Sequence, residues 1–136
     1  MTRGTGHQIA SLRFGQEDAA ISIDINGIAH IFIVSSDFAR SRAFYEKLLP
    51  FLGMKPVLDG EGFYYCVGGR TAFGIRACAP GHEGERFTQD RVGLHHVCFR
   101  AREREDVDRL YDFVRELGVE IASNIFLPRS TIVVYY

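Results

Sequence analysis

Cysteine is scarce in this sequence, and the shortage narrows the class of protein. The 3 cysteines, Cys66, Cys78 and Cys98, have no spacing that would form a zinc knuckle. An odd number of cysteines also excludes a disulfide framework in which every thiol is paired. This cysteine usage is typical of reduced thiols, so we expect a cytoplasmic protein.

Long apolar runs and an excess of one charge are missing as well. The longest apolar stretch, around Ile28–Val34, is far too short to span a bilayer, and Met1–Ala20 has no apolar core of the length that a secretory signal requires. The 16 basic and 17 acidic residues give a formal net charge of −1, which would not attract a phosphate backbone. We expect neither a membrane nor a nucleic-acid partner.

The sequence does contain enough apolar material for one core, since 46% of its 136 residues are hydrophobic. We expect residues 1–18 to form a mobile tail and residues 19–136 to form a single domain. Within the domain, a first unit covers about residues 27–79, a polar linker residues 80–92, and a second unit residues 93–136.

The two units are suggested by an internal repeat. The sequence Gly-Ile-Ala-His-Ile-Phe-Ile-Val at 27–34 is echoed by Gly-Leu-His-His-Val-Cys-Phe-Arg at 93–100. Each copy is followed by a polar hinge, a helical pattern, a Leu-Gly pair and β-branched residues. This ordered series predicts a duplicated strand–helix–strand unit.

Apolar residues at helical spacing predict one helix in each unit. The first helix should begin at Ser36–Asp37, whose side chains can cap backbone N–H groups, and should end at Gly53. Pro50 should break this helix or confine it to a short final turn. The second helix should begin within Glu103–Asp106, where acidic side chains favour the positive end of the helix dipole, and end at Gly118.

Runs of aromatic and β-branched residues predict strands. We expect Gly62–Val67 and Thr71–Ala77 to form a hairpin around Gly68–Arg70, and Ser130–Tyr136 to form a further strand. The segment Ile21–Ile25 also alternates between apolar and polar residues. It either adds an N-terminal strand or forms a flexible lead-in, and the residues leave both open.

Strand alternation divides the start of each repeat into two faces. His30 and Phe32 share one face of the first strand, while Ile31 and Ile33 share the other; His96 occupies the position of His30 in the second copy. We expect the apolar sets to pack against the helices and both imidazoles to face a shared hollow. Two neutral imidazoles can begin a divalent-metal site, which still needs a carboxylate. The residues leave a metal-bound pair and a metal-free pair equally open.

The segment His-Ile-Phe-Ile-Val-Ser-Ser-Asp-Phe-Ala-Arg-Ser-Arg-Ala-Phe-Tyr-Glu-Lys-Leu-Leu at 30–49, together with 93–100, resembles the vicinal-oxygen-chelate superfamily. This superfamily includes glyoxalases, bleomycin resistance proteins and extradiol dioxygenases. The resemblance covers about residues 27–136. It implies an α+β fold in which paired βαβββ modules form a curved mixed sheet around a ligand cup. It also implies that His30 and His96 are the residues that would bind a divalent metal (Zn, Fe, Ni or Mn).

The same resemblance implies two further metal ligands, usually Glu or Gln, and the sequence departs from the pattern at both. The first position falls at Gly74, which has no side chain to donate. The second would follow Tyr136, where relatives continue through Asp-Pro-Asp-Gly into a final strand, so we expect the last strand of the second module to be missing. The unpaired edge would favour a homodimer. Candidate replacement carboxylates are Glu61, Glu83 and Glu85.

Three functions are consistent with these features. The chain is a metal-dependent lyase, isomerase or dioxygenase acting on a small molecule with vicinal oxygens, a non-catalytic binding protein that sequesters a small molecule such as a drug, or a relative that keeps only the fold. The sequence identifies no catalytic residue. Among the aromatic residues, we expect Phe63, Phe73 and Tyr45 to belong to the core. The predicted site comprises metal ligands His30 and His96 and ligand contacts Phe32, Tyr64, Cys98 and Arg100.

Overall fold

The computed structural model describes residues 23–120 and 131–134. In this part of the chain, no helix is long and apolar enough to cross a membrane. The predicted tail over residues 1–18 lies outside the described residues. The elements are β1 His30–Ser35, α1 Phe38–Phe51, β2 Lys55–Gly60, β3 Phe63–Gly68, β4 Thr71–Ala77, β5 Val97–Arg100, α2 Arg104–Glu116 and β6 Thr131–Val134.

The first module has the predicted βαβββ topology. Its four strands form one sheet in the order β1-β4-β3-β2. Strand β1 runs parallel to β4, and the other two pairs are antiparallel. The predicted hairpin between β3 and β4 is confirmed, with Gly69 and Arg70 both at positive φ in its turn. Among residues 23–120 and 131–134, the result is an open mixed sheet whose two edge strands are β1 and β2.

The second module departs from the first in its strand pairing. Among the described residues, β5 pairs with β6 in an antiparallel two-stranded sheet, whereas β1 pairs with β4 in parallel. Strand β5 begins at Val97, so His96 lies immediately before it. The predicted strand at Ser130–Tyr136 is confirmed where it is described. Residues 23–29 contain no strand, so the described part of Ile21–Ile25 does not extend the sheet.

The predicted limits of α1 are confirmed. The Asp37 side chain caps the helix by accepting a hydrogen bond from the Arg40 backbone N–H at 3.0 Å. Pro50 lies in the final turn, and Gly53 follows the helix with a φ of +78°. Only glycine adopts such a φ without strain, so Gly53 can reverse the chain toward β2.

The predicted limits of α2 are confirmed as well. Its N-terminal residue is preceded by Glu103, whose backbone N–H donates to Asp106 Oδ2 at 3.3 Å. Gly118, at a φ of +72°, follows the last turn. The two helices contact each other through Phe51 and Phe113, whose rings stack with centroids 4.0 Å apart.

The core lies between the helices and one face of the four-stranded sheet. Burial in β1 alternates as predicted: Ile31 and Ile33 pack against the core, whereas His30 and Phe32 are exposed. The sheet therefore has a covered face and an open face. The buried core residues are Tyr45, Leu48, Leu49, Met54, Tyr64, Cys66, Phe73, Ile75, Val97 and Leu110.

Candidate ligand-binding site

The open face of the four-stranded sheet brings residues from three strands together. In the strand register, Phe32 of β1 lies beside Gly74 of β4, and Gly74 lies beside Tyr65 of β3. Side chains that are directly opposite on adjacent strands point to the same side of a sheet. Phe32, Tyr65 and the missing side chain of Gly74 are therefore on one face, and alternation along β3 adds Phe63 to it.

The rings on this face form an aromatic cluster, which we define as His30, Phe32, Phe63 and Tyr65. Phe32 is its centre: the Phe32 and Tyr65 rings are parallel within 2°, with centroids 5.1 Å apart. Phe63 stacks on Phe32 at 5.2 Å, and the His30 ring meets Phe32 edge-on at 5.8 Å. Phe32 remains 37% exposed, so the stacked rings present an apolar surface that solvent, or a ligand, can reach.

Gly74 allows the Phe32 ring to lie against the sheet. A Cβ atom built on Gly74 would stand 2.2 Å from Phe32 Cε1, well inside van der Waals contact. Gly74 is buried, and its φ lies outside the left-handed region, so glycine is needed here for close approach and not for a turn. Any side chain at this position would have to displace the Phe32 ring.

The resemblance implies a divalent metal near His30. The contact between Phe32 and Gly74 decides whether the residues around His30 can hold one. The resemblance implies that the first-module Glu or Gln ligand would stand at Gly74, and Phe32 fills the space above that residue. His30 is exposed on the same face, and Nδ1 of His96 lies 2.7 Å from Nδ1 of His95. Over residues 23–120 and 131–134, no group of three or more His, Cys, Asp or Glu side chains could hold an ion. The described residues do not fit a chelated metal.

The candidate replacement carboxylates have other positions. Glu85 Oε1 lies 2.6 Å from His82 Nδ1, and Glu83 accepts a hydrogen bond from the backbone N–H of Gly81 at 2.9 Å. Both belong to the exposed loop after β4. Glu61 is exposed in the turn between β2 and β3. None of the three joins His30 in a metal-binding group.

Tyr64, one of the predicted ligand contacts, lies on the covered face of the sheet. Its side chain is only 3% exposed, and the Arg42 guanidinium stands 5.4 Å from the centre of its ring. Arg42 in turn binds Asp59 through two hydrogen bonds of 3.1 and 2.6 Å. These bonds hold the pKa of the Asp59 carboxyl below its ordinary value. Since Tyr64 faces α1, it does not contact a ligand on the open face.

The remaining predicted contacts are on β5. Cys98 and Arg100 are exposed, and they alternate with Val97 and Phe99, which pack against the core. Partial desolvation raises the pKa of the Cys98 thiol, against a smaller opposing effect of Arg100.

Two residues of the aromatic cluster, Phe63 and Tyr65, were not part of the predicted site. The expectation that Phe63 belongs to the core is wrong, because it is half-buried on the open face and stacks on Phe32. The same expectation is confirmed for Phe73 and Tyr45, which are 1% and 3% exposed. Alternation between Tyr64 and its neighbours Phe63 and Tyr65 is the sequence signal that separates the two faces of β3.

A broad groove also runs along the outer edge of β1, between α1, the loop after β4 and α2. Its lining includes Phe87 of the loop and Val119 and Glu120 after α2. It reaches Phe32, Val34 and Arg76 but neither His30 nor His96. Because its wall adjoins residues 121–130, which lie outside the described part, the groove does not define the candidate site.

Comparison with known proteins identifies the class. Residues 27–126 match the family model of the Glyoxalase/Bleomycin resistance protein/Dioxygenase superfamily. The chain belongs to this superfamily, as the sequence pattern predicted. No curated protein matched the sequence.

Two solved structures agree with the fold at a TM-score of 0.50 or above, and a third is similar at a lower score. A proposed glyoxalase from Bacillus halodurans is 27% identical, with a TM-score of 0.63 over 68% of this chain and 70% of that chain. A protein from the mobile metagenome of V. pseudocholerae is 21% identical, with a TM-score of 0.50 over 82% of this chain and 84% of that one. A bleomycin resistance determinant encoded on transposon Tn5 is 21% identical, with a TM-score of 0.44 over 72% and 70%.

The fit between Phe32 and Gly74 can be tested by a double-mutant cycle. Gly74→Ala should lower the free energy of unfolding by about 1–3 kcal/mol, the range for inserting a methyl group into filled space. In a Phe32→Ala background the same substitution should cost less by more than about 0.5 kcal/mol, because the clashing ring is gone. Urea unfolding measures both. Phe63→Ala is the control background, in which Gly74→Ala should lower the free energy of unfolding as much as it does in the unmodified chain. If Gly74→Ala has the same effect in the unmodified chain, in Phe32→Ala and in Phe63→Ala, the Phe32 ring does not contact Gly74.

The burial of Tyr64 predicts a pH dependence. Desolvation, with a hydrogen bond to Cys66, raises the pKa of the Tyr64 phenol well above its ordinary value of 10.0. Above about pH 10 the phenol ionises in the unfolded chain but stays protonated in the folded one, so the free energy of unfolding falls by up to about 1.4 kcal/mol per pH unit. Tyr64→Phe should make this decline shallower when urea unfolding is followed from pH 9 to 11.5. Tyr65→Phe leaves Tyr64 intact and should retain the full decline of the free energy of unfolding with pH. If Tyr65→Phe makes the decline shallower and Tyr64→Phe does not, Tyr64 lies outside the core.

Proposed function

We propose that this chain is a small-molecule binding protein of its superfamily, which holds a flat, apolar ligand on the open face of the four-stranded sheet. The observation that carries the proposal is the Phe32 ring lying over Gly74. It replaces a metal ligand by an aromatic surface at the place where metal-dependent members supply a Glu or Gln. Metal-dependent lyase, isomerase or dioxygenase activity is the alternative, and the described residues favour it less.

The aromatic cluster suits a planar ligand. Three of its rings are within about 30° of parallel to one another, so a flat molecule that stacks on one of them is nearly parallel to the other two. An offset-stacked aromatic pair contributes about 0.5–1.5 kcal/mol beyond the apolar area that it buries. His30 stands at the edge of Phe32, where its ring nitrogens can hydrogen-bond a polar group of the ligand. We propose Cys98 and Arg100 of β5 as contacts from the second module.

Binding of prodan, a neutral naphthalene fluorophore, tests the site. Phe32→Leu keeps an apolar side chain but removes the central ring, so we expect it to weaken prodan binding about 3- to 10-fold. Fluorescence titration measures the dissociation constant, and urea unfolding checks that the variant is folded. Phe87→Leu is the matched control, because Phe87 has a similar exposure of 42% but lies in the loop that lines the groove.

Two outcomes would contradict the proposed function. If Phe87→Leu weakens binding and Phe32→Leu does not, the ligand occupies the groove along β1. If the purified protein holds one divalent ion per chain, and His30→Ala removes it, the residues form a metal centre despite the Phe32 ring.

We also propose that the chain forms a homodimer. In the described part of the chain, β1 and β2 are the edge strands of the four-stranded sheet, and an edge strand offers unpaired backbone groups to a second chain. Every residue of β2 is exposed. Sedimentation velocity at micromolar concentration should show a species of twice the chain mass; monomer alone throughout a concentration series would refute the proposal.

A further inference from the structure

The charges on the open face are of one sign. Opposite residues of neighbouring strands share a face, so Lys55, which pairs with Val67, belongs to the open face together with Arg76. Asp59, the one acidic residue of the four strands, pairs with Tyr64 and belongs to the covered face. The strands of this sheet therefore present basic and aromatic side chains on the open face, and no carboxylate.

Arg76 is the basic residue nearest to the aromatic cluster. Its register partners are Phe63 on β3 and Val34 on β1, which places their Cβ atoms about 4.5–5.5 Å from its own. Along β4, Arg76 is two residues from Gly74, a distance of ~6.7 Å in an extended strand. A guanidinium group can therefore reach the edge of a ring system that lies on Phe32.

The Arg76 guanidinium also lacks an anionic partner in the part of the chain that the structure describes. Arg42 on the covered face shows the contrast, because Asp59 and Glu46 both bind it, at 2.6 and 2.8 Å. Arg76 is exposed and takes part in none of the ion pairs of the described residues.

From these observations we propose the class of ligand: a planar aromatic anion, whose rings stack on the aromatic cluster while its carboxylate or sulfonate pairs with Arg76. This inference rests on the proposed binding function and narrows it. A guanidinium binds such a group through two parallel hydrogen bonds, which also fix the orientation of the ligand. The ~6.7 Å along β4 from Gly74 to Arg76 suits an anion on a two-ring system. A cationic ligand would meet only like charge on this face.

Naphthoate and its neutral isostere naphthamide form a matched pair of probes. Isothermal titration at neutral pH should show that the unmodified chain binds naphthoate about tenfold more tightly, as expected for one charge-assisted interaction. Arg76→Gln should abolish this preference and leave the affinity for naphthamide unchanged. Arg70→Gln removes an exposed charge in the turn between β3 and β4, so it should preserve the preference.

The outcomes separate this inference from the proposed function. If naphthamide and naphthoate bind equally to the unmodified chain, the inference that the ligand is an anion is wrong, while the proposed binding function stands. If neither probe binds, the binding function fails as well. A preference that survives Arg76→Gln but is lost in Arg70→Gln or Lys55→Gln would place the anion elsewhere and overturn the role of Arg76. If naphthoate and naphthamide bind more tightly as the protein is diluted, a second copy of the chain covers the open face, and that face is not a free ligand site.

Discussion

The contact between the Phe32 ring and the backbone of Gly74 is the constraint on which the character of the open face depends. Parallel pairing of β1 and β4 brings the two residues side by side, and the absence of a Cβ atom lets the ring lie against the strand. Once the ring is there, Tyr65 and Phe63 can stack on it, and no side chain at position 74 can project into the hollow. The same contact thus creates an aromatic surface and fills the space at position 74, where the resemblance implies a metal ligand.

The covered face is organised in the opposite way. There the polar groups are neutralised locally: Arg42 lies over the Tyr64 ring and binds Asp59, while apolar residues of α1 fill the space against the sheet. The open face keeps its charge on Arg76 without a carboxylate among the described residues. This asymmetry is what distinguishes a surface built for packing from one suited to a ligand.

Much of the first module was predictable from the sequence because its signals are local. Strand alternation correctly separated His30 and Phe32 from Ile31 and Ile33, and capping residues gave the limits of both helices. These features depend on neighbouring residues, whose geometry a short stretch of sequence specifies.

The parts that were not predicted depend on pairing between distant strands. Alternation shows that Tyr64 and Tyr65 face opposite ways, but the register with β4 decides which of them is covered. The filling of the space above Gly74 by Phe32 likewise follows from the β1–β4 register. The second module illustrates the same limit, since the sequence predicted the strand at Ser130–Tyr136 but not its antiparallel pairing with β5.

Superfamily membership fixes the fold, and the side chains of the first-module sheet decide what the cup can hold. The central claim is that a ligand lies on that sheet. It is tested most directly by NMR chemical-shift changes when naphthoate is added to labelled protein. With the ligand on the open face, the largest changes are expected at the Gly74 amide and the Phe63 and Tyr65 rings. Changes concentrated at Phe87 and Val119, with the Gly74 amide unaffected, would contradict it.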